Sequence, residues 1–179
     1  MRRAGTARLV NQSGASPRLL SLREERKAGS ARPTKAVPDV TEINFYTAVA
    51  NPLSATARLV AKAYAQGRRV RVITPDAAAT QLLNNMLWEH PVEGFLPHVT
   101  LSSPHAAATP VIVDHSITHE GSNDVLINLC AEPPAFFARF ERMFEIVGQD
   151  EALASAGRDR WKFYKARGYP MTHTVMNKS

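Results

Sequence analysis

The stretch EINFYTAVANPLSATARLVAKAYAQGRRVRVIT, residues 42–74, decides the fold class. Its first part, Glu42–Val49, is β-branched and aromatic with alternating polarity, which predicts a strand. Leu53–Gln66 then places apolar residues at helical spacing, with Ser54 as a candidate N-cap. Val70–Thr74 predicts a second strand. A strand, a helix and a strand in this order predict a parallel sheet with a right-handed crossover.

The rest of the chain continues this alternation. Pro75-Asp76 opens a second predicted helix that runs to about Trp88, and a break follows at His90-Pro91. The remaining predicted elements are strands over Val111–Asp114, Val125–Leu129 and Met143–Val147, a short helical turn through Phe136 and Phe137, and a closing helix over Asp150–Arg167. The prediction is an α/β domain in three layers, with a mostly parallel, doubly wound, Rossmann-like sheet.

Charge separates the first forty residues from the rest of the chain. The net charge is +6, and residues 1–40 alone account for it, so residues 41–179 are neutral and are not a general phosphate binder. Low hydrophobicity and excess positive charge predict that residues 1–40 are a disordered basic leader, and 41–179 a single domain. A wrongly assigned start, with the true start close to Val40 or Thr41, is another interpretation, because the folded pattern begins abruptly at Ile43. A nucleic-acid-binding arm and a transit peptide are the alternatives for this leader. No apolar run approaches the roughly 18–20 residues of a membrane helix.

Several common catalytic signatures are absent. The segment after the first strand, TAVANPLSAT (residues 47–56), has no glycine, which disfavours dinucleotide and Walker-type phosphate binding. No nucleophile elbow G-x-S-x-G is present, and the single cysteine, Cys130, reads as a small core hydrophobe. His115 and His119 lack further ligands for a metal. We therefore expect no cofactor, no metal and no catalytic residue, which favours a binding protein over an enzyme.

Two segments are candidates for binding. In LWEHPVEGFLPH, residues 87–98, Trp88 and Phe95 are predicted to lie close together, either as core aromatics or as the lining of an apolar pocket.

The second segment, RDRWKFYKARGY (residues 158–169), concentrates positive charge on the closing helix. Arg158, Trp161 and Lys165 fall on one helix face. A solvated charged face is one interpretation. An anion site with an aromatic floor is the other, because arginine can hold a carboxylate by two parallel hydrogen bonds.

Four motifs occur in a fixed order along the chain. They are G-[KR]-R-V-x-[VI] at Gly67–Ile73, FLPH after an L-W-x-x-P helix end at Leu87–His98, D-[IV]-L-I-x-L at Asp124–Leu129, and R-[DE]-R-[YW]-K-x-Y at Arg158–Tyr164. Each motif is weak alone. Together, over about residues 42–175, they resemble the chi subunit of the bacterial DNA polymerase III holoenzyme.

The resemblance implies a role in DNA replication. A chi subunit is a clamp-loader accessory with a nucleotide-binding type of fold and no nucleotide site, in a cytoplasmic, nucleoid-associated complex with DNA-directed DNA polymerase activity. It links the clamp loader, through the psi subunit, to single-stranded DNA-binding protein (SSB), and it reaches DNA only indirectly. Its partner segment is the acidic carboxy-terminal tail of SSB, which ends in a phenylalanine.

The resemblance also assigns residues to this contact. Arg158 would hold the terminal carboxylate of the tail, with Trp161 beside it. Trp88 and Phe95 would line the pocket for the phenylalanine ring. A further set would meet the acidic residues of the tail: Arg160, Lys162 or Lys165. Ala154 stands where the family has a lysine that contacts the tail, which leaves the register of the tail open.

Two other functions remain open from the sequence. An α/β enzyme or binding protein for a phosphorylated ligand would use Arg158 and Arg160 as phosphate clamps. Direct DNA binding would rely on the basic leader.

Overall fold

The computed structural model describes residues 40–89, 95–118, 121 and 124–176. The predictions for residues 1–39, for the break at His90-Pro91 and for His119 therefore lie outside the described residues. The elements are β1 (Glu42–Val49), α1 (Pro52–Ala65), β2 (Val70–Ile73), α2 (Ala77–Glu89), β3 (His98–Val99), β4 (Val111–Asp114), β5 (Val125–Asn128), β6 (Arg142–Gly148), α3 (Glu151–Ala166) and β7 (Met171–Val175), with a 3-10 turn at Phe137–Arg139.

The strands form one sheet in the order β3-β4-β2-β5-β6-β1-β7. Every strand pair in the described part of the chain is parallel, which confirms the prediction of a parallel, doubly wound sheet. The short strands β2, β4 and β5 are buried along their whole length. Continuous apolar runs of this kind are typical of parallel strands covered on both faces.

Helices cover both faces of the sheet, which confirms the three-layer prediction. On one face α1 and α2 pack against each other and against the sheet, around a core that includes Val60, Leu83 and Leu87. On the other face α3 packs on β6, around a second core that includes Phe45 and Tyr164. In the described ranges, no helix is both long and apolar enough to cross a membrane.

Two local predictions differ from the structure. The N-cap of α1 is Asn51, whose side-chain oxygen accepts a hydrogen bond from the backbone N–H of Ser54 at 3.0 Å. Pro52 then takes the first helical position, where no backbone donor is needed. The prediction of Ser54 as the cap, one turn inside the true start, is therefore wrong.

The sequence predicted α3 as the last element of the fold, but the structure has one more strand after it. Gly168, at φ +76°, turns the chain out of the helix, and β7 follows as an edge strand beside β1. Four of its five residues are exposed. An exposed edge strand lacks the apolar pattern that identifies a buried one, and this explains why it was missed.

The face of α3 that packs on β6 depends on a glycine. A Cβ atom on Gly157 would lie 2.8 Å and 2.9 Å from the two Cγ atoms of Val147. The absence of a side chain at Gly157 therefore lets the helix backbone approach the strand closely. This approach sets the position of every side chain that α3 presents beside the sheet.

We predict that Gly157→Ala lowers the free energy of unfolding by about 1–2 kcal/mol, because overpacking against Val147 exceeds the gain in helix propensity of about 1 kcal/mol. Denaturant titration measures this change. The matched control is Ser155→Ala, at an exposed position of the same helix, which should leave the stability unchanged or slightly raised. An equal or higher stability of Gly157→Ala would contradict the close approach.

Candidate functional site

A groove lies between α3 and the carboxyl ends of β1 and β6, and we call it the α3 groove. Its cavity volume is about 550 Å³. Its lining comprises Ala154, Gly157, Arg158, Trp161 and Lys162 from α3, Phe45, Thr47 and Ala48 from β1, Val147, Gly148 and Gln149 from β6 and the residue after it, and His173 from β7. The ends of parallel strands are a common place for binding sites in such folds.

The floor of the α3 groove is aromatic and apolar. The half-buried ring of Trp161 meets the ring of Phe45 edge to face, with centroids 5.0 Å apart. On its other side it meets the His173 ring at 5.8 Å. Because Gly157 and Ala154 have small side chains one and two turns earlier on the helix, the space above this floor stays open.

Two cations stand at the rim of the groove. Arg158 donates to Glu151 at 2.5 Å, and both side chains are largely exposed, by 58% and 83%. Lys162 lies 3.4 Å from Asp159, also in the open. Exposed ion pairs contribute only about 0–1 kcal/mol. Both cations can therefore exchange these carboxylates for that of a ligand at little cost.

The backbone at one end of the groove is strained. Ala48 has φ +56°, in the left-handed region that residues with a side chain rarely adopt. It lies where the pairing register of β1 shifts between Tyr46 and Val49, and its carbonyl accepts a hydrogen bond from Gln149. Strain of this kind costs about 1–3 kcal/mol and is concentrated at functional sites.

Trp88 and Phe95 lie together, but at the other end of the molecule. Their ring centroids are 5.5 Å apart, which confirms the predicted proximity. They are 54% and 64% exposed, so the interpretation as core aromatics is wrong. The Trp88 ring also packs against the ring of His98 in β3, with the centroids 4.9 Å apart.

The prediction that Trp88 and Phe95 share one pocket with Arg158 is wrong. Five inter-strand steps separate β3 from β1 in the sheet order, which is about 24 Å at the usual strand spacing. Helices α2 and α3 also cover opposite faces of the sheet. The motif spacing could not show this, because it says nothing about which strands are neighbours.

Arg160 is a buried structural residue, so the prediction that it meets a ligand is wrong. Its side chain is 4% exposed, and its Nε donates to Glu145 at 2.8 Å. A second donor atom, Nη1, bonds the carbonyl of Ala131 at 2.8 Å. The phosphate clamp of Arg158 with Arg160 is therefore not formed.

The buried carboxylate of Glu145, which pairs with Arg160, accepts hydrogen bonds from several donors. Glu145 also accepts from the Tyr164 hydroxyl at 2.7 Å and from the Asn128 amide at 3.1 Å. Burial raises the pKa of the Glu145 carboxyl, and the charge of Arg160 opposes this shift. Burial next to Glu145 also raises the pKa of the Tyr164 hydroxyl, so Tyr164 remains a donor at neutral pH.

The other residues singled out from the sequence are not at the groove. Lys165 is exposed on α3 and does not line the groove. Cys130 is half-buried, and burial raises the pKa of its thiol to about 11, so it is not a thiolate nucleophile at neutral pH. Across the described ranges, no three His, Cys, Asp or Glu side chains converge as metal ligands.

Sequence reasoning missed the sheet side of the groove. Phe45 reads as an ordinary core residue of β1, and His173 belongs to the strand that was not predicted. One residue of the helix could have indicated the groove. Gly157 lies inside α3 one turn before Trp161, and a glycine inside a helix usually has a packing or functional reason. It indicates which side of the helix lies on the sheet.

Comparison with known proteins identifies relatives. The family model described as DNA polymerase III chi subunit, HolC, matches residues 40–172. The DNA polymerase III subunit chi of Pseudomonas aeruginosa is 35% identical over 136 residues, which cover 74% of this chain and 94% of the relative. The Escherichia coli protein of the same name is 28% identical over 122 residues, 65% of this chain and 83% of the relative.

Among solved structures, the fold resembles the carboxy-terminal domain of S. cerevisiae Dbp5, in a complex with Gle1 and IP6. The TM-score is 0.54, with 9% identity over 78% of this chain and 92% of that one. At this identity the similarity concerns the fold alone.

We predict a large stability effect for the buried Arg160 of α3 and almost none for the exposed Arg158. Arg160→Met should lower the free energy of unfolding by about 3–5 kcal/mol, because it leaves the Glu145 carboxylate buried without its cation. Arg158→Met should change it by less than about 0.5 kcal/mol, as is usual at exposed positions. Denaturant titration compares the two variants. Adding Glu145→Gln to Arg160→Met should restore part of the loss, and equal effects of the two single variants would contradict the assignment.

Proposed function

This chain belongs to the DNA polymerase III chi subunit family, and from this we propose that it joins the clamp loader to SSB by binding the SSB tail in the α3 groove. Family membership gives it an accessory role in DNA replication. The observation that supports the proposal is that Arg158 stands at the rim of a groove whose apolar floor is made by Trp161 and Phe45. We propose that the chain acts with the other subunits of the DNA polymerase III holoenzyme in the bacterial cytoplasm.

The chemistry of the groove suits a chain end that is both aromatic and negative. A terminal phenylalanine ring can lie on the floor made by Phe45 and Trp161, in the edge-to-face arrangement that aromatic rings prefer. The free carboxylate of the same residue then lies next to the guanidinium of Arg158, which can bind it by two hydrogen bonds. The exchange of Glu151 for the carboxylate of the tail costs little, because the Glu151 side chain is exposed.

Lys162 supplies a second charge for the acidic residues of the tail. It lines the groove one turn after Arg158, whereas Ala154 lies one turn before and has no charge. The positive charge is therefore displaced towards the carboxyl end of α3. We propose that the tail runs in this direction from the terminal carboxylate, past Lys162.

The energies agree with a reversible contact. Burying one aromatic ring contributes roughly 1.5–3 kcal/mol, and each charge-assisted hydrogen bond adds about 1.5–3 kcal/mol. After the several-kcal/mol cost of association, affinity should be on the order of micromolar. The electrostatic part should weaken as salt is added.

We predict that Arg158→Ala weakens binding of an SSB tail peptide by about 10–100-fold, the loss expected for about 1.5–3 kcal/mol of charge-assisted bonding. Lys162→Ala should weaken it less, and its effect should disappear at high salt. Calorimetric titration gives both affinities.

The matched control for these variants is Lys165→Ala, which removes the same charge from an exposed position of α3 outside the groove. Its affinity should be within about twofold of the unchanged protein, as for a screened surface charge. A tail peptide that binds all three variants equally well would overturn the proposed site.

The exposed rings of Trp88 and Phe95 support a second protein contact, and we propose that psi binds there. Large exposed aromatic side chains are enriched in protein interfaces. This pair lies on the other edge of the sheet from the α3 groove, so the two partners do not compete for one surface. A chain with binding sites at both edges can bridge two proteins at once.

We predict that Trp88→Ala abolishes co-elution with psi in gel filtration and leaves the affinity for the tail peptide unchanged. The reason is that truncating a central interface aromatic commonly costs about 2 kcal/mol or more. The tail affinity should not change because β3, next to Trp88, and β1, at the groove, are about 24 Å apart by strand spacing. Leu82→Ala is a control, since it removes another exposed apolar side chain of α2. Loss of tail binding in Trp88→Ala would contradict the separation of the two sites.

A further inference from the structure

The two edges of the sheet are unequal. At one edge β3 has only two residues, which gives little backbone for another strand to pair with. At the other edge β7 has five, MTHTV, with no proline, glycine, lysine or acidic residue. In the described part of the chain β7 pairs with β1 and with no other strand. Free edges of this length are usually blocked in natural proteins.

The hydrogen bonds at the ends of the pair show which backbone groups of β7 are free. Ile43 N–H donates to the carbonyl of Pro170 at 2.9 Å, and Met176 N–H donates to the carbonyl of Thr47 at 2.8 Å. Parallel ladders use alternate residues of each strand. Even-numbered residues of β7 therefore face β1, and the backbone N–H and C=O groups of 171, 173 and 175 point away from the sheet.

The free edge is continuous with the α3 groove through one residue. The His173 imidazole lines the groove, lies within hydrogen-bond distance of Thr47 Oγ1 at 2.7 Å and packs on Trp161. The backbone of the same residue belongs to the outward-facing set. A chain that ends in the groove and leaves it over His173 thus comes directly onto the unpaired edge.

We propose that the bound acidic tail extends the sheet, with the residues that precede its end pairing as an eighth strand along β7. This inference rests on the proposed function and defines how the tail continues outside the groove. Backbone pairing would give affinity independent of tail sequence, while the groove selects the aromatic carboxyl end.

Charge favours this occupant over a second copy of the chain. The groove that adjoins the edge has Arg158 and Lys162 at its rim, and β7 itself has no carboxylate. A second copy paired at this edge would bring the same cations towards their counterparts. An acidic peptide brings the opposite charge, which the electrostatic complementarity of interfaces requires.

The test compares two synthetic peptides, one of about ten residues from the acidic SSB tail and one of its last three residues. The longer peptide should bind the full-length chain at least tenfold more tightly in calorimetry. Hydrogen exchange should slow at the amides of His173 and Val175 when the longer peptide binds, whereas the amide of Thr174 is already bonded to β1 and should change little.

Two variants of Val175 separate the contribution of its backbone N–H from that of its side chain. Val175→Pro removes an outward N–H that no strand of the described residues uses, a position where sheets tolerate proline. Val175→Ala removes the side chain and keeps the N–H. The proline variant should lose at least fivefold in affinity for the longer peptide relative to the alanine variant, with equal affinity for the short one.

The possible outcomes separate the two proposals. Equal binding of both peptides, with no difference between the two variants, overturns the added strand and leaves the groove as the binding site. If neither peptide binds, the proposed function and the added strand both fail. A free protein that sediments as a dimer, and as a monomer after Val175→Pro, overturns the inference in favour of a second copy at this edge.

Discussion

A buried contact of 2.8 Å between Arg160 and Glu145 fixes the rotation of α3 on the sheet, and the α3 groove depends on this rotation. Because 3.6 residues make one turn, a helix that points Arg160 into the core must turn Arg158 and Trp161 towards the flank. Gly157 adds the close approach to β6. The cationic side chains of this helix thus have different roles: Arg160 positions the helix, whereas Arg158 and Lys162 line the groove. Removing the charge of Arg160 would therefore disturb the groove, although Arg160 does not line it.

The order of the strands has a second consequence for function. The first strand of the chain lies next to the last one, and the middle of the chain forms the opposite edge. As a result, the exposed aromatic pair that follows β2 and the cationic helix that follows β6 are held far apart by a rigid sheet. The proposed bridging of two partners would need such a separation, because the partners must not collide. The hydrogen-bonded ladder of parallel strands keeps the distance between these two surfaces constant.

The layers and most elements could be predicted from the sequence, whereas the composition of the site could not. Continuous apolar runs such as Val125–Leu129 identify strands by themselves, and the closing helix has a clear start and stop. The side chains that converge on Trp161 come from β1, β6 and β7, and their meeting depends on strand order, which local patterns do not encode. Arg160 shows the same limit: it lies in a basic run next to the exposed Arg158 and Asp159, and only the position of Glu145 across the core reveals that it is buried.

The chain has two tryptophans, and each belongs to a different surface: Trp161 to the floor of the groove and Trp88 to the aromatic pair at the β3 edge. Each indole is therefore an intrinsic fluorophore at one of the two proposed binding surfaces. Trp161 packs against the His173 ring, and a phenylalanine ring bound there as proposed would change both its contacts and its exposure to water. If one tryptophan is replaced by phenylalanine, the fluorescence of the other would report binding at its own surface, without any added dye.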